Sequence, residues 1–452
     1  MADKEQNNQN DFMVEKIKVR PINRKKLIRR TIITAAMAVI FGLIACFTFL
    51  VLEPVISNWL YPEEDTQVVI FPEDQEEMSP EDMLAENLPE ESPAPITDPA
   101  EITLEGEQIQ QLLEGFSLDS SHYAQLYSAL YDLVYNNYGD TPSISQYMVT
   151  IRGISSNIDW FDDVQESSNQ ASGVIVADNG REFLILVDYT SLQRAESLVL
   201  DLSDGYYQIE ARLKGLDSDT NLAVVAVSRS DIPAQFMESG GLAVAPMGSS
   251  VGNQLVGIPV IAMGSPMGVS DSIGYGIITS AGIQLSSPDR TYKLLLTNIA
   301  GSKNAEGVLF NLKGQVVGII TDNKTGNDME NLINAYGITE MKRIIEKLSN
   351  ESAFAYLGIS GVDVTSDAHR NLGVPYGAYV TKLEMNSPAM LAGVQVGDVI
   401  TAMDDSALQS FGAYSTALMQ KQPGQTVKLT VMRQAQNEYR EMSFSIELGT
   451  LK

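Results

Sequence analysis

The feature that most constrains this chain is an uncharged, apolar run of 22 residues from Thr31 to Leu52. A helix rises about 1.5 Å per residue, so such a run covers the roughly 30 Å of hydrocarbon in a bilayer. We therefore predict a transmembrane helix over residues 31–52. Six cations lie immediately before it, from Arg20 to Arg30, and no further Lys or Arg follows it until Arg152. By the positive-inside rule, residues 1–30 form a cytoplasmic basic tail and the C-terminal domains lie outside the cytoplasm, as in a single-pass cell-membrane protein.

Two alternatives for this run remain open. A cleaved signal peptide normally has an apolar region of about 7–15 residues, which is shorter than the run found here. Lipid attachment at Cys46 is the second alternative, but the apolar sequence continues beyond it through Leu52. Cys46 is the one cysteine of the chain, so no disulfide can form within it.

Acidic residues dominate the next segment. Residues 62–107 contain 16 Asp or Glu and no Lys or Arg, and prolines recur throughout. Like charges repel and few apolar side chains are available for burial, so we predict a disordered stalk over residues 53–106. An acidic docking strip for a cationic partner or divalent ions is the alternative. The formal net charge of −28 argues against nucleic acid as a partner of the folded part.

Two kinds of periodicity follow the stalk. Residues 107–140 place apolar side chains at helical spacing, which predicts a helical segment of two helices interrupted near residues 118–121. From about residue 141 to residue 345, short runs rich in Val, Ile, Leu and Tyr alternate with Gly, Asp, Asn and Ser. This texture is typical of antiparallel strands joined by tight turns, and it predicts an all-β barrel or sandwich.

Four blocks within this region occur in a specific order: SGVIVADNGREFLILVDYTSL, DGYYQIEARLKGLDSDTNLAVVAV, GSPMGVSDSIGYGIITSAGI and TNIAGSKNAEGVLFNLKGQVVGI. In order and spacing they resemble the HtrA/Deg family of trypsin-like serine proteases. The resemblance implies a mainly β fold, in which a trypsin-like double β-barrel over residues 141–345 is followed by a PDZ domain.

The resemblance also locates the positions of a Ser-His-Asp triad. The position of the general-base histidine holds Thr190, that of the orienting aspartate holds Asn221, and that of the nucleophilic serine holds Ala305. None of these three side chains can perform the triad role that its position implies. Lys303 and Glu306 replace glycines around the nucleophile position, which predicts a disturbed oxyanion pocket.

Substitutes for the triad are few. A pair formed by Ser302 and Lys303 is conceivable, because a desolvated lysine can act as a base. The two histidines, His122 and His369, are interpreted as ordinary surface or packing residues, and no metal site or cofactor is predicted. The sequence therefore predicts that the chain is not an enzyme.

The C-terminal region, residues 352–448, resembles a PDZ domain through the runs SPA, AGV and VGDVI between residues 387 and 400. The resemblance implies that a peptide C-terminus is bound by the backbone N–H groups of a loop and by a groove helix near residues 410–419. The peptide-binding residues predicted in this way are Tyr356, Leu357, Gly358, Ile359, Tyr414 and Leu418.

Together these features predict a membrane-anchored, catalytically inactive HtrA-like protein. It would bind peptide C-termini or unfolded segments as a quality-control scaffold or regulator of the cell envelope. The family resemblance further implies a homotrimer, or a hetero-oligomer with an active relative. Two alternatives remain, a serine-type endopeptidase with a non-standard dyad and a structural envelope protein.

Overall fold

The structure, a computed structural model, describes residues 35, 37–38, 67–72, 74, 120–139, 141–158, 164–202, 206–238, 241–252, 255–321, 331–436 and 438–451. The chain divides into two compact units, Met1–Asp65 and Thr66–Lys452, and nearly all described residues belong to the second. No helix among the described residues is long and apolar enough to cross a membrane. Apart from three helical residues, the predicted transmembrane segment 31–52 lies outside them, as do residues 1–30.

A single helix is described in the predicted helical segment 107–140. This helix, α1, spans Ser120–Tyr135. Val134 near its end is buried, whereas Tyr123, Tyr127 and Tyr131 are more than half exposed. Residues 107–119, where the other predicted helix would lie, are outside the described part.

The first β-barrel is closed by antiparallel strands in the order β1-β2-β3-β6-β5-β4. The strands are β1 Met148–Ile158, β2 Val164–Asp178, β3 Glu182–Asp188, β4 Ser197–Leu202, β5 Tyr207–Asp217 and β6 Leu222–Ser228. β-Branched and Leu side chains from all six strands fill its interior. A short helix, α2, follows at Ala234–Glu238.

The second β-barrel repeats this design, with strands in the order β10-β11-β12-β9-β8-β7. The strands are β7 Pro259–Ser265, β8 Ser272–Ser287, β9 Arg290–Ala300, β10 Glu306–Asn311, β11 Val316–Thr321 and β12 Leu332–Gly337. A separate apolar core fills it, and a third cluster of buried side chains packs between the two barrels. Helix α3, Ile338–Ser349, covers this junction with Met341, Ile344 and Ile345 fully buried.

A PDZ-like domain completes the described chain. Its main sheet has the order β14-β15-β16-β18-β19, with β17 beside β16 and β13 paired with β20. The strands are β13 Ala355–Tyr356, β14 Ile359–Asp363, β15 Ala378–Leu383, β16 Val399–Met403, β17 Ser406–Ala407, β18 Thr426–Ala435, β19 Glu438–Glu447 and β20 Gly449–Thr450. The helices are α4 Ser366–Leu372, α5 Pro388–Ala392 and α6 Phe411–Met419. The predicted mainly β architecture of two barrels and a PDZ domain is confirmed.

Part of the predicted disordered stalk differs from the prediction. Residues 67–72 and 74, here called the strap, lie extended against the folded body. The backbone of Val69 exchanges two hydrogen bonds with the Asn350 side chain, at 3.0 and 2.8 Å, and Asp74 pairs with Lys342 of α3. Val69 is buried because the run Gln67–Phe71 is free of acidic residues and rich in β-forming side chains.

Candidate functional site

Two of the predicted triad positions meet at one edge of the first barrel. Thr190 follows the end of β3, where its backbone N–H donates to the Asp188 carboxylate at 2.8 Å in a local turn. Asn221 precedes β6 with a left-handed φ of 57°. The N–H of Tyr189 donates to the Asn221 carbonyl at 2.8 Å, so the two turns lie side by side. Thr190 itself is exposed.

The third position, Ala305, precedes β10 of the second barrel and is almost fully buried. Its neighbour Glu306 turns toward the first barrel. One Glu306 carboxylate oxygen accepts the backbone N–H of Ser172 in β2 at 3.3 Å. The Ser191 side chain, one residue beyond Thr190, favours the ionised form of the same carboxyl. Glu306, next to Ala305, therefore reaches across the cleft between the barrels, which Ser172 and Asp188 of the first barrel and Gly307 of the second line.

The electrostatics of this cleft centre on Glu306. Burial of the carboxyl raises its pKa to about 7, and the nearby Asp188 carboxylate acts in the same direction. The hydrogen bond from the Ser172 N–H and the influence of the Ser191 side chain only partly offset that rise. Ser191 is half-buried, and its hydroxyl donates a hydrogen bond to the carbonyl oxygen of Gln170 at 3.2 Å. A carboxyl that titrates near neutrality beside a hydroxyl can accept a proton at physiological pH.

The predicted alternative pair is arranged differently. The Ser302 hydroxyl accepts the backbone N–H of Asn304 at 3.1 Å, and Lys303 is exposed rather than desolvated. Both histidines lie outside the cleft. His122 is in α1, and His369 in α4 stacks on Tyr376 with its Nδ1 atom 2.8 Å from the Val374 carbonyl. Within the described part of the chain, no three His, Cys, Asp or Glu side chains group as metal ligands would.

The second candidate site is the loop that leads into β14 of the PDZ-like domain. Gly358 adopts a left-handed φ of 79°, so the successive N–H groups of Leu357, Gly358 and Ile359 converge on one point. A Cβ atom at Gly358 would lie 2.4 Å from the Cβ of Ser387, so only glycine fits. The loop is a ready-made receptor for an anion.

A carboxylate of the second barrel already occupies that point. Asp289, in the turn between β8 and β9, accepts hydrogen bonds from Leu357 and Gly358 at 2.7 Å each and from Ile359 at 2.9 Å. The Tyr414 hydroxyl of α6 donates to the same carboxylate at 2.6 Å. Burial raises the pKa of Asp289, although these hydrogen bonds act in the opposite direction.

The remaining predicted peptide-binding residues surround this contact. Tyr356 is half-buried, and burial and the nearby Asp289 carboxylate raise its pKa. Leu418 is buried in the core of the PDZ-like domain. The structure therefore brings the loop and Tyr414 together around one carboxylate, while Leu418 lies behind them.

Comparison with known proteins agrees with this geometry. The model of the PDZ domain family matches residues 355–446. A DegP-like periplasmic serine endoprotease of Hahella chejuensis is 30% identical over 295 residues, which cover 64% of this chain and 58% of the relative. A DegP-like endoprotease of Halomonas elongata is 28% identical, with 62% and 57% covered. The Do-like serine protease HtrA of Lactococcus lactis subsp. cremoris is 28% identical, with 70% and 80% covered.

The resemblance to HtrA-type serine proteases with a PDZ domain is confirmed. The chain spans less than three fifths of the length of the two DegP-like relatives. Among solved structures, the HtrA-type protease AlgW with a decapeptide aligns with a TM-score of 0.49 at 20% identity, covering 68% of this chain and 96% of that one. The serine endoprotease from Yersinia pestis aligns with a TM-score of 0.45 at 24% identity, covering 69% and 98%.

These HtrA relatives correct two predictions. They are named as serine endoproteases, which contradicts the prediction that the chain is a catalytically inactive binding protein and the prediction that it is not an enzyme. Both predictions treated replacement of Thr190, Asn221 and Ala305 as loss of all proton-transfer chemistry. Glu306, interpreted from sequence only as a disturbance of the oxyanion pocket, has a pKa that burial raises to about 7.

Sequence reasoning missed Ser191 and Asp289 and gave Glu306 a different role. Ser191 and Glu306 each adjoin an HtrA triad position, so their neighbourhood in space could have been inferred from the resemblance. Asp289 had a weaker signal in the Pro288-Asp289 pair, which indicates a hairpin turn but not what the turn contacts.

Proposed function

We propose that this chain is a serine-type endopeptidase of HtrA type, anchored by residues 31–52 and acting on polypeptides outside the cytoplasm. The observation that carries the proposal is the buried Glu306 carboxyl of the second barrel, which accepts the Ser172 N–H of the first barrel, has a pKa of about 7 and is influenced by the Ser191 side chain. The serine endoproteases among the relatives support the reaction class. The predicted trimer stays a prediction.

The chemistry follows from the proton that this pair shares. The ionised Glu306 takes the Ser191 proton as Oγ attacks the carbonyl carbon of the scissile peptide bond. The protonated Glu306 then gives that proton to the departing amine, and the C–N bond breaks to leave an ester on Ser191. Water, deprotonated by the same carboxylate, attacks this ester and its proton returns to the Ser191 oxygen. The serine and the carboxylate are thereby restored.

In this proposal, the PDZ domain binds the substrate polypeptide. Its loop at Leu357–Ile359 presents three N–H groups to a carboxylate, as binding of a peptide C-terminus requires. A polypeptide held by its C-terminus would be at high local concentration near the cleft.

The test is a pH profile of peptide hydrolysis by the purified full-length protein, with casein as the probe. Because Glu306 acts in its ionised form and its pKa is about 7, activity should rise as the pH increases from 6 to 8. Glu306→Gln and Ser191→Ala should each lower activity by about 100-fold or more.

Ser302→Ala serves as the matched control, since it removes a hydroxyl from the same cleft region without touching the proposed pair. It should leave activity and its pH profile unchanged. Activity that survives in both Ser191→Ala and Glu306→Gln, or that is lost only in Ser302→Ala, would contradict the proposed pair. Absence of hydrolysis by the unmutated protein at every pH would contradict the peptidase function itself.

A further inference from the structure

The contact between Asp289 and the PDZ loop has the pattern of a bound peptide terminus. Three consecutive N–H groups and one tyrosine hydroxyl surround a single carboxylate. The Asp289 N–H also donates to the Ile359 carbonyl at 2.6 Å, and the Ser286 hydroxyl donates to the Gly361 carbonyl at 3.0 Å. These bonds run along β14, the edge strand of the PDZ sheet.

The turn that presents Asp289 is strained for this residue. Pro288 and Asp289 are the two loop residues between the paired Ser287 and Arg290, and Asp289 has a left-handed φ of 65°. A proline followed by a residue at positive φ is typical of a turn that favours Gly or Asn at the second position. Aspartate therefore has a conformational cost here that its five hydrogen bonds to the PDZ domain offset.

We propose that Asp289 is an internal ligand of the PDZ domain, and that a polypeptide C-terminus binds by displacing it. The inference rests on the proposed function, because it takes the loop to be the receptor for a substrate carboxylate. Asp289 is 4% exposed, and Leu357 and Ile359 are fully buried. An external carboxylate consequently reaches the loop only after the β8–β9 turn has moved away from the PDZ domain.

The apparent affinity for external peptides equals the intrinsic affinity multiplied by the fraction of molecules in which the loop is vacant. Competition by Asp289 therefore lowers the apparent affinity. Peptide binding is then also coupled to movement of the β8–β9 turn away from β14. Only peptides that carry a free carboxylate can replace the charge that Asp289 supplies, so an amidated peptide should fail to compete.

The experiment measures binding of a fluorescent decapeptide library, with free and with amidated C-termini, to the full-length protein and to Asp289→Gly. Glycine adopts the left-handed turn without strain and leaves the loop vacant. The variant should bind free-carboxylate peptides about tenfold more tightly or better. Amidated peptides should bind neither protein.

The matched control is Asp271→Gly, which removes an exposed aspartate that also has a left-handed φ, 60°, in the β7–β8 turn of the same barrel. Its affinity should equal that of the unmutated protein. If Asp289→Gly misfolds, Asp289→Asn replaces it, because Asn tolerates the turn but supplies no charge. A readout on the unmutated protein is hydrogen exchange at the Asp289 amide, which should accelerate when a free-carboxylate peptide is saturating.

The outcomes separate the inference from the proposed function. Affinities of the unmutated protein and the Asp289 variants within twofold of each other would overturn displacement while leaving peptide binding intact. Failure of all of them to bind any free-carboxylate peptide would overturn the PDZ receptor and this inference together. Casein hydrolysis that persists in that case would show that the peptidase part of the proposal stands.

Discussion

At the scale of single residues, two buried carboxyl groups, those of Glu306 and Asp289, occupy positions where other residue types are expected. Glu306 occupies a position where HtrA proteases carry a glycine, and burial gives it a pKa of about 7. Asp289 occupies a turn position that favours Gly or Asn and fills a loop built for a terminal carboxylate. In both cases the neighbouring backbone N–H groups make the burial of a carboxyl group tolerable.

Gly358 is the residue whose replacement should report most directly on the PDZ loop. Gly358→Ala adds a left-handed strain and a Cβ atom 2.4 Å from that of Ser387. Gly424→Ala is a matched control, because Gly424 has a similar φ of 78° with nothing within 4 Å of its added Cβ. We expect Gly358→Ala to cost roughly 2 kcal/mol more than Gly424→Ala in the free energy of unfolding, measured by urea titration. Equal losses of unfolding free energy in the two variants would mean that the loop around Gly358 rearranges to accommodate a Cβ atom.

At the scale of elements, most strands could be predicted from the sequence and one segment could not. Runs such as FLILV in β3 and VVGII in β11 are short, β-branched and bounded by turn residues, so their strands follow from local pattern. The strap lies in a segment whose average composition is acidic and proline-rich, and that average conceals the apolar run Gln67–Phe71. Its docking depends on α3, which is remote in sequence and leaves no local signal.

Replacing Asn350, which binds the backbone of the strap, should therefore weaken docking of the strap. Asn350→Ala removes both hydrogen bonds to the Val69 backbone and should lower the free energy of unfolding by about 1–2 kcal/mol. Elastase should then cleave after Val69 faster than in the unmutated protein, because cleavage needs the strap released. Ser352→Ala, which removes a hydroxyl that bonds only to the Asn350 carbonyl, is the control and should change neither quantity. Unaltered cleavage in Asn350→Ala would show that other contacts hold the strap.

At the scale of the whole molecule, one cation joins three parts of the folded body. Arg290 at the start of β9 forms a buried ion pair with Asp217 of β5, at 2.6 Å between Nη1 and Oδ1. Its guanidinium lies 4.3 Å from the ring centre of Phe354, in the connection to the PDZ domain. Asp289, its neighbour in sequence, faces the PDZ loop. Both barrels and the PDZ domain are therefore linked through one turn.

Replacing the buried Arg290 should lower the stability of the folded body more than replacing an exposed arginine. Arg290→Met leaves the buried Asp217 carboxylate unpaired and should cost about 3–5 kcal/mol. Arg212→Met, which breaks the half-exposed pairs with Glu182 and Glu351, should cost less than about 1 kcal/mol. Thermal unfolding of the two variants at equal concentration checks the contrast. Similar melting temperatures would indicate that solvent reaches Asp217.

The candidate site was only partly predictable, for a physical reason. The prediction of Thr190, Asn221 and Ala305 as triad positions came from the resemblance, because register within a known barrel fixes where each turn lies, and it stays a prediction. It could not reveal the pairing of Ser191 with Glu306 or of Asp289 with the PDZ loop. Those contacts join residues more than 60 positions apart. Their partners are set by how the barrels and the PDZ domain pack, which local sequence does not encode.

The strap also carries a consequence for biosynthesis. Val69 and its partner Asn350 are 281 residues apart, so the strap leaves the ribosome long before α3 exists. At typical elongation rates of about 5–20 residues per second, it waits roughly 15–55 s with its apolar side chains uncovered. The acidic residues that flank it on both sides keep the nascent segment hydrated and repel other anionic chains during that interval. Docking of the strap therefore follows synthesis of both barrels and of Asn350.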